Sequence, residues 1–261
     1  MVSKSPLPTL SEIESEISSC VLFDKCSLLA ENSLALSRIL PGDSRRGSSD
    51  PRILIVTAMP DKTSAESVAY AGNTILNIRK MFLSSSYRVG MDSNLGSKDS
   101  VVDFLRSNRI YCTSAVKCYS GETNFPYQGV VDNCRNTYLD RQILSFHSLE
   151  LILPMGIIAT SAILHIPLRM ISMGKFIGKN GKGVLYDDKH YHKTVIVLPH
   201  PSGQNKNFNP PKLSSNLRLS EFLRRINFIN ALNQLREVLE RMGYPMKSLP
   251  PLEYPKGIFD Y

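Results

Sequence analysis

The amino-acid sequence predicts a three-layer α/β/α sandwich with a central four-stranded, mostly parallel sheet. Three observations lead there. Short apolar, β-branched runs recur at residues 52–56, 110–116, 149–154 and 193–198. Stretches with helical spacing of apolar residues lie between them, the alternation that parallel strands with crossover connections require. Polar, turn-forming residues follow the runs, and open parallel sheets place ligands outside such carboxyl ends.

Taken in order, residues 8–20 read as a helix. Thr9 or Ser11 is its N-cap, and Glu12, Glu14 and Glu16 lie early in the segment. Residues 32–49 are a polar connection rich in Gly, Ser and Arg. The first strand, 52–56, runs into the loop Thr57-Ala58-Met59-Pro60-Asp61-Lys62-Thr63-Ser64. Ala71-Gly72-Asn73 opens a helix with Ile75, Leu76, Ile78, Met81 and Phe82 as its apolar positions. Residues 101–105 look helical, and 110–116 form the second strand, with Cys118 closing it. A turn-rich stretch at 121–128 leads into an amphipathic helix over 130–147, with Cys134 in its first turn. The third strand, 149–154, passes to a helix at 156–164, and residues 173–182 read as a Gly/Lys hairpin. The fourth strand, 193–198, precedes a long helix over about 213–242. Its stripe is Leu219, Phe222, Leu223, Ile226, Ile229, Leu232, Leu235 and Leu239. Residues 1–261 are read as one domain, with a helical N-terminal segment (1–50), an α/β core (51–242) and a Pro-rich tail (243–261).

A net charge of +8 and a pI near 9.2 favour a polyanionic partner, of which nucleic acid is the commonest. No apolar run reaches membrane-spanning length, and the N-terminus lacks a signal-peptide core. A monomeric, cytoplasmic protein without membrane partners is expected. In that compartment its five cysteines point to metal, catalysis or inert burial before disulfides.

The chain is organised around Leu198-Pro199-His200-Pro201-Ser202-Gly203-Gln204-Asn205. A buried strand ends here by presenting a histidine between two prolines that stiffen the turn. Ser202, Gly203 and Asn205 follow as a small hydrogen-bonding loop. A surface turn with an incidental histidine also fits the octamer. Cys20, Cys26, Cys118 and Cys134 come from two segments, and four such thiolates suit an Fe–S cluster or tetrahedral zinc. Unliganded burial is the other reading, and the one adopted for Cys112.

Several motifs then agree in order and spacing. They are the early cysteine pair, the strand-loop Ile53 to Pro60, the Ala71-Gly72 helix start, Tyr111-Cys112-Thr113-Ser114-Ala115-Val116-Lys117-Cys118, Cys134-Arg135 with Tyr138-Leu139 and Gln142, and His200-Pro201-Ser202. Together they are similar to the iron–sulfur (family 4-type) uracil-DNA glycosylases, within the uracil-DNA glycosylase superfamily. The resemblance runs from about Cys20 to the last helix. It implies a structural [4Fe–4S] cluster on Cys20, Cys26, Cys118 and Cys134, which makes residues 1–50 a cluster-binding segment. It also implies DNA as partner, with a base flipped into a pocket. His200 would donate a hydrogen bond to the base oxygen on which negative charge develops. Ser202, Gly203, Gln204, Lys206 and Phe208 would lie against the DNA, Ser202 on phosphate and Gln204 or Phe208 in the gap left by the base. Lys175, Lys179, Lys182 and Lys212 are further phosphate candidates.

The departures from the family fall in the pocket. Where the family carries Gly-Glu-Ala-Pro-Gly, this chain has Thr57-Ala58-Met59-Pro60-Asp61, so Ala58 replaces the acid. The connection from Pro60 to Ala71 is shorter, Ser67 stands at the position of the stacking aromatic, and Ser114 at that of the uracil-reading asparagine. The Cys20–Cys26 spacing is also wider than the family's. The three pocket changes remove bulk, and loss of the stacker alone costs about 1–3 kcal/mol of base binding. The expected substrate is therefore a bulky 5-substituted pyrimidine, such as glucosylated 5-hydroxymethylcytosine in phage DNA, with anti-phage defence as the role. Thr57, Ala58, Met59, Ser67, Tyr70, Ser114 and Asn205 are the candidate substrate contacts, with Asp61 and Ser64 as added hydrogen-bonding groups. Asp61, then Glu66, are the carboxylates that could assist His200. Uracil repair with Tyr70 or Phe125 as substitute stacker, and an inactive DNA-binding homologue, are the alternatives.

Overall fold

A computed structural model of the protein describes residues 8–20, 47–60, 73–92, 101–118, 128–171, 185–187, 190–201 and 217–249. Among these residues five strands form one sheet: β1 (Ile53–Thr57), β2 (Ile110–Ser114), β3 (Leu151–Pro154), β4 (Leu185–Asp187) and β5 (Thr194–Ile196). Their order is β2-β1-β3-β5-β4. Strands β1, β2, β3 and β5 are mutually parallel, with Ile53 beside Ile110 and Leu151, and Leu151 beside Thr194. The short β4 adds an antiparallel edge to β5. That edge was not expected, since three residues carry too little pattern to read as a strand.

The central strands are buried throughout. Their side chains alternate between two cores, as the period of two demands. Ile53, Ile55, Cys112, Leu151 and Leu153 face one core. Leu54, Val56, Tyr111 and Ile152 face the other. A sheet covered on both faces needs continuous apolar runs, which is why these strands were visible in the sequence.

Helices α2 (Asn73–Leu83), α3 (Val101–Ser107) and α7 (Leu219–Arg241) cover the first face. Ile75, Ile78, Phe82, Phe104, Leu232, Leu235 and Leu239 supply its core. The second face is covered by α4 (Gln128–Cys134), a π-helical turn (Arg135–Leu139) and α5 (Asp140–Ser145), which run on without a break, and by α6 (Ile157–Leu164). Val131, Leu139, Ile143, Ala159 and Ile163 pack there. Fully burying one such aliphatic side chain contributes about 1.5–3 kcal/mol. Outside both, α1 (Leu10–Ser18) is closed by a reciprocal capping box between Thr9 and Glu12. It packs Ile13 and Ile17 on Tyr138, and its buried Glu14 accepts a hydrogen bond from Tyr111 Oη.

Several sequence expectations need correction. β2 ends at Ser114 rather than Val116, because Ala115 and Val116 turn their N–H groups to Thr57 O (2.8 Å) and Ala58 O (3.0 Å) in a bend. Cys118 therefore lies beyond the strand and does not close it. α4 begins at Gln128, which puts Cys134 at its last residue rather than in the first turn. α7 starts at Leu219, after the extended N-cap Arg218, and not near 213. Leu76 and Leu223 face outward, each one step around the helix from the packed stripe. No described helix is long and apolar enough to cross a membrane.

Candidate active site at the strand ends

His200 is held in place by three parts of the chain. Beyond β5, Leu198 stays paired with the segment after β3: its N–H donates to Pro154 O (3.0 Å), and Gly156 N–H donates to Leu198 O (2.8 Å). Gly156 caps the head of α6 with φ +88°. A Cβ there would stand 3.0 Å from His200 Cβ and 3.4 Å from Cδ2. Only glycine takes this backbone shape without strain and lets the histidine pack so close. From the opposite face, Asn77 on α2 donates from Nδ2 to Pro201 O at 2.8 Å. Pro199 and Pro201 are buried and His200 is half-buried. Burial lowers the imidazole pKa from its ordinary 6.5, so the neutral form prevails at neutral pH. The positive end of α6 opposes a proton there as well.

Two strands away, Thr57 ends β1 and Ser114 ends β2 in register with it. Both side chains are buried. Their hydroxyls lie 3.2 Å apart, and Thr57 Oγ1 is 3.4 Å from Thr113 O. A hydroxyl has one proton to give, so a pair oriented in series toward Thr113 O uses both protons internally and keeps acceptor capacity. Ala58 is buried, and Met59 packs against the second core. Ala58 and Ser114 are thus built into the sheet end.

Cys20 and Cys134 meet at Tyr138. Burial, then a hydrogen bond with Cys20 and the charges of Cys20, Cys134 and Glu16, push the phenol pKa up. Cys118 is half-buried beyond β2, and Cys134 is buried. Among the described residues, no three His, Cys, Asp or Glu side chains form a group that could hold a metal ion. Cys112 is wholly buried, and its thiol is pushed up accordingly, in keeping with an inert core residue.

Asp61, Ser64, Glu66, Ser67, Tyr70, Phe125, Cys26, Lys175, Lys179, Lys182, Ser202, Gly203, Gln204, Asn205, Lys206, Phe208 and Lys212 lie outside the described residues. Gly156 and Asn77 were missed in the sequence. A Met-Gly pair ahead of an apolar helix was the only signal for the first, and nothing local marked the second.

A histidine fixed at the carboxyl end of a parallel α/β sheet now has a family context. The model of the uracil DNA glycosylase superfamily matches residues 45–227. The chain belongs to the uracil DNA glycosylase superfamily. A search of curated proteins finds no match. The superfamily match takes in all five strands, His200, Cys118, Cys134 and the start of α7. It begins after α1, Cys20 and Cys26.

Proposed function

We propose that this protein is a DNA glycosylase that hydrolyses the N-glycosidic bond of a flipped-out pyrimidine carrying a bulky 5-substituent, and leaves an abasic site. Glucosylated 5-hydroxymethylcytosine of phage DNA is the substrate that motivates it, and defence against such phages the role. The observation that carries the reading is the seat of His200, at a strand's carboxyl end, close against Gly156 and with its pKa lowered by burial.

In the reaction the C1′–N1 bond breaks and its electron pair leaves with the base. Water supplies hydroxide to C1′, and its proton balances the charge of the departing base. A neutral imidazole at His200 donates a hydrogen bond to the base oxygen where negative charge grows, and donors aimed at developing charge are a major source of rate. Asp61 or Glu66 would orient the water. Ala58, Ser67 and Ser114 remove bulk where the family reads uracil, and the Thr57–Ser114 pair offers acceptor lone pairs to a hydroxylated substituent. Ser202, Lys206 and Lys179 would meet phosphates, with Gly203 against the DNA and Gln204 or Phe208 filling the gap left by the base, in keeping with the charge of +8.

Cys20, Cys26, Cys118 and Cys134 would hold a structural [4Fe–4S] cluster of the iron–sulfur subtype. The fit rests on Cys20 and Cys134, which flank Tyr138 from two separate segments. Such a cluster would tie the α1 segment to the core without entering the chemistry. Visible absorbance and iron content of anaerobically purified protein test it, and colourless, iron-free protein would remove it.

The function is tested by incubating the protein with unmodified, uracil-containing and phage-modified DNA and measuring released base and abasic sites. Release from modified DNA is expected. Efficient release of uracil with modified DNA left intact would restore uracil repair, and DNA binding without release from any substrate would make the chain a binding homologue.

A further inference from the structure

The His200 seat and the hydroxyl pair leave a buried lysine, Lys117, unexplained. Lys117 lies just beyond β2 and only 2% of it is exposed. Its Nζ donates to Thr113 Oγ1 (2.8 Å), Ser114 O (2.7 Å) and Gln142 Oε1 (2.6 Å). Three oxygen acceptors match the three N–H bonds of the ammonium form. Thr113 Oγ1 also donates to Gln142 Oε1 at 3.3 Å, so the fully buried Gln142 of α5 must turn its carbonyl, not its amide nitrogen, toward the lysine.

We infer that Lys117 is a positioning residue of the candidate site, whose ammonium sets the Ser114–Thr57 pair and lends positive charge to the pocket end at which the leaving base becomes an anion. This rests on the glycosylase reading. The chain of contacts is short. Lys117 Nζ fixes the carbonyl of Ser114. The N–H of the same peptide unit, on Ala115, donates to Thr57 O at 2.8 Å. The side chains of Ser114 and Thr57 then meet at 3.2 Å. A cation bonded to that carbonyl polarises the whole peptide and strengthens the hydrogen bond on its far side. In surroundings this dry the attraction between a buried cation and an anion developing in the pocket is stronger at a given distance than in water. The same ammonium therefore holds the two strand ends together and favours departure of an anionic base.

A purely structural lysine would hold β2 to α5 and affect every substrate alike. Electrostatic assistance makes a different prediction, because a poorer leaving group carries more negative charge in the transition state. Single-turnover base release should be measured for wild type, Lys117→Met, Lys117→Gln and Lys117→Arg on oligonucleotides carrying 5-substituted pyrimidines of graded leaving-group pKa. Thermal melting of each variant serves as the folding control. The neutral variants are expected to slow the poorest leaving group at least tenfold and the best less than threefold, with Lys117→Arg keeping the wild-type slope (one decade of rate corresponds to about 1.4 kcal/mol). Equal slowing of all substrates, or unfolding of both neutral variants, would assign Lys117 to the fold and overturn the proposal. Wild-type protein that releases no base from any substrate would instead defeat the glycosylase reading beneath it.

Discussion

Helix α6 carries a histidine against each of its ends, and the two are in opposite situations. At its head, Gly156 packs on His200. At its tail, His165 is itself the C-cap, in the left-handed region. Its ring stacks on His190 at 3.9 Å, and its Nε2 lies 3.1 Å from Tyr191 Oη, which in turn donates to Asp140 Oδ1 at 2.5 Å. Among the described residues the tail is the richer collection of titratable groups. Those groups hold the residues leading into β5 against α5 and α6, on the side where the strands begin. Among the described residues the head has a single imidazole, whose backbone is fixed by α2, β3 and α6, at the side where the strands end. What sets the head apart is constraint and location: the histidine's backbone is clamped at the strands' carboxyl ends, where open parallel sheets place ligands. The helix dipole adds to the contrast, opposing positive charge at the head and favouring it at the tail.

The largest effect should separate the two histidines. His200→Ala is predicted to lower base release by about 10²–10³-fold, the usual loss for a donor aimed at developing charge. His165→Ala should stay within about threefold of wild type, since its ring sits in the tail cluster where the strands begin, and should lower the melting temperature instead. Comparable loss of activity in both variants would break the comparison. Gly156→Ala comes next. The added Cβ meets His200 at 3.0 Å on a backbone with φ +88°, a strain of about 1–3 kcal/mol, and urea denaturation should show that loss together with slower release. Gly129, at the start of α4, has open space where a Cβ would stand, with nothing within 4 Å. Its alanine variant should be neutral or slightly stabilised, which separates a helix-head effect from a generic one.

Removal of a single clamp is a smaller perturbation. Asn77→Ala deletes the 2.8 Å hydrogen bond to Pro201 O, worth about 0.5–1.5 kcal/mol. Release should slow several-fold with little change in substrate affinity, and an unchanged single-turnover rate would show that the Leu198 pairing, Gly156 and the prolines hold His200 without Asn77. The pH dependence is the mildest signature. The unfolded chain protonates His200 near 6.5, whereas the folded site does so at lower pH. Between those two values the unfolded state binds the extra proton. Stability from this group is therefore complete above about pH 6.5 and lost as pH falls toward the folded pKa. His200→Ala should flatten that part of the stability profile. Base release should also hold steady from about pH 8 through 6.5 if the neutral imidazole is the working form; a rise on acidification would assign the work to the imidazolium.

Much of this was legible in the chain. β1, β2, β3 and β5 were visible to within about two residues because sheets covered on both faces demand uninterrupted apolar runs. β4 was not, being a three-residue edge. His200 could be singled out from its bracket of prolines, and the superfamily from the order of its motifs. Gly156, Asn77 and Lys117 could not be given roles, because each acts on a segment that folding alone brings near it. Asn77 and Pro201, 124 positions apart, share no local pattern.

The sequence by itself determined the layers of the sandwich, the start of α1 at Thr9 or Ser11 with acidic residues after it, and the residue types offered at the strand ends. Those follow from periodicity and local hydrogen bonding, which neighbouring residues specify. Only the tertiary structure decided that His200 is neutral and pressed on a glycine, that Thr57 and Ser114 pair, and that a buried lysine stands behind them. Proton affinity and close approach depend on what surrounds a group in space, and in this chain those surroundings come from β3, α2, α5 and α6.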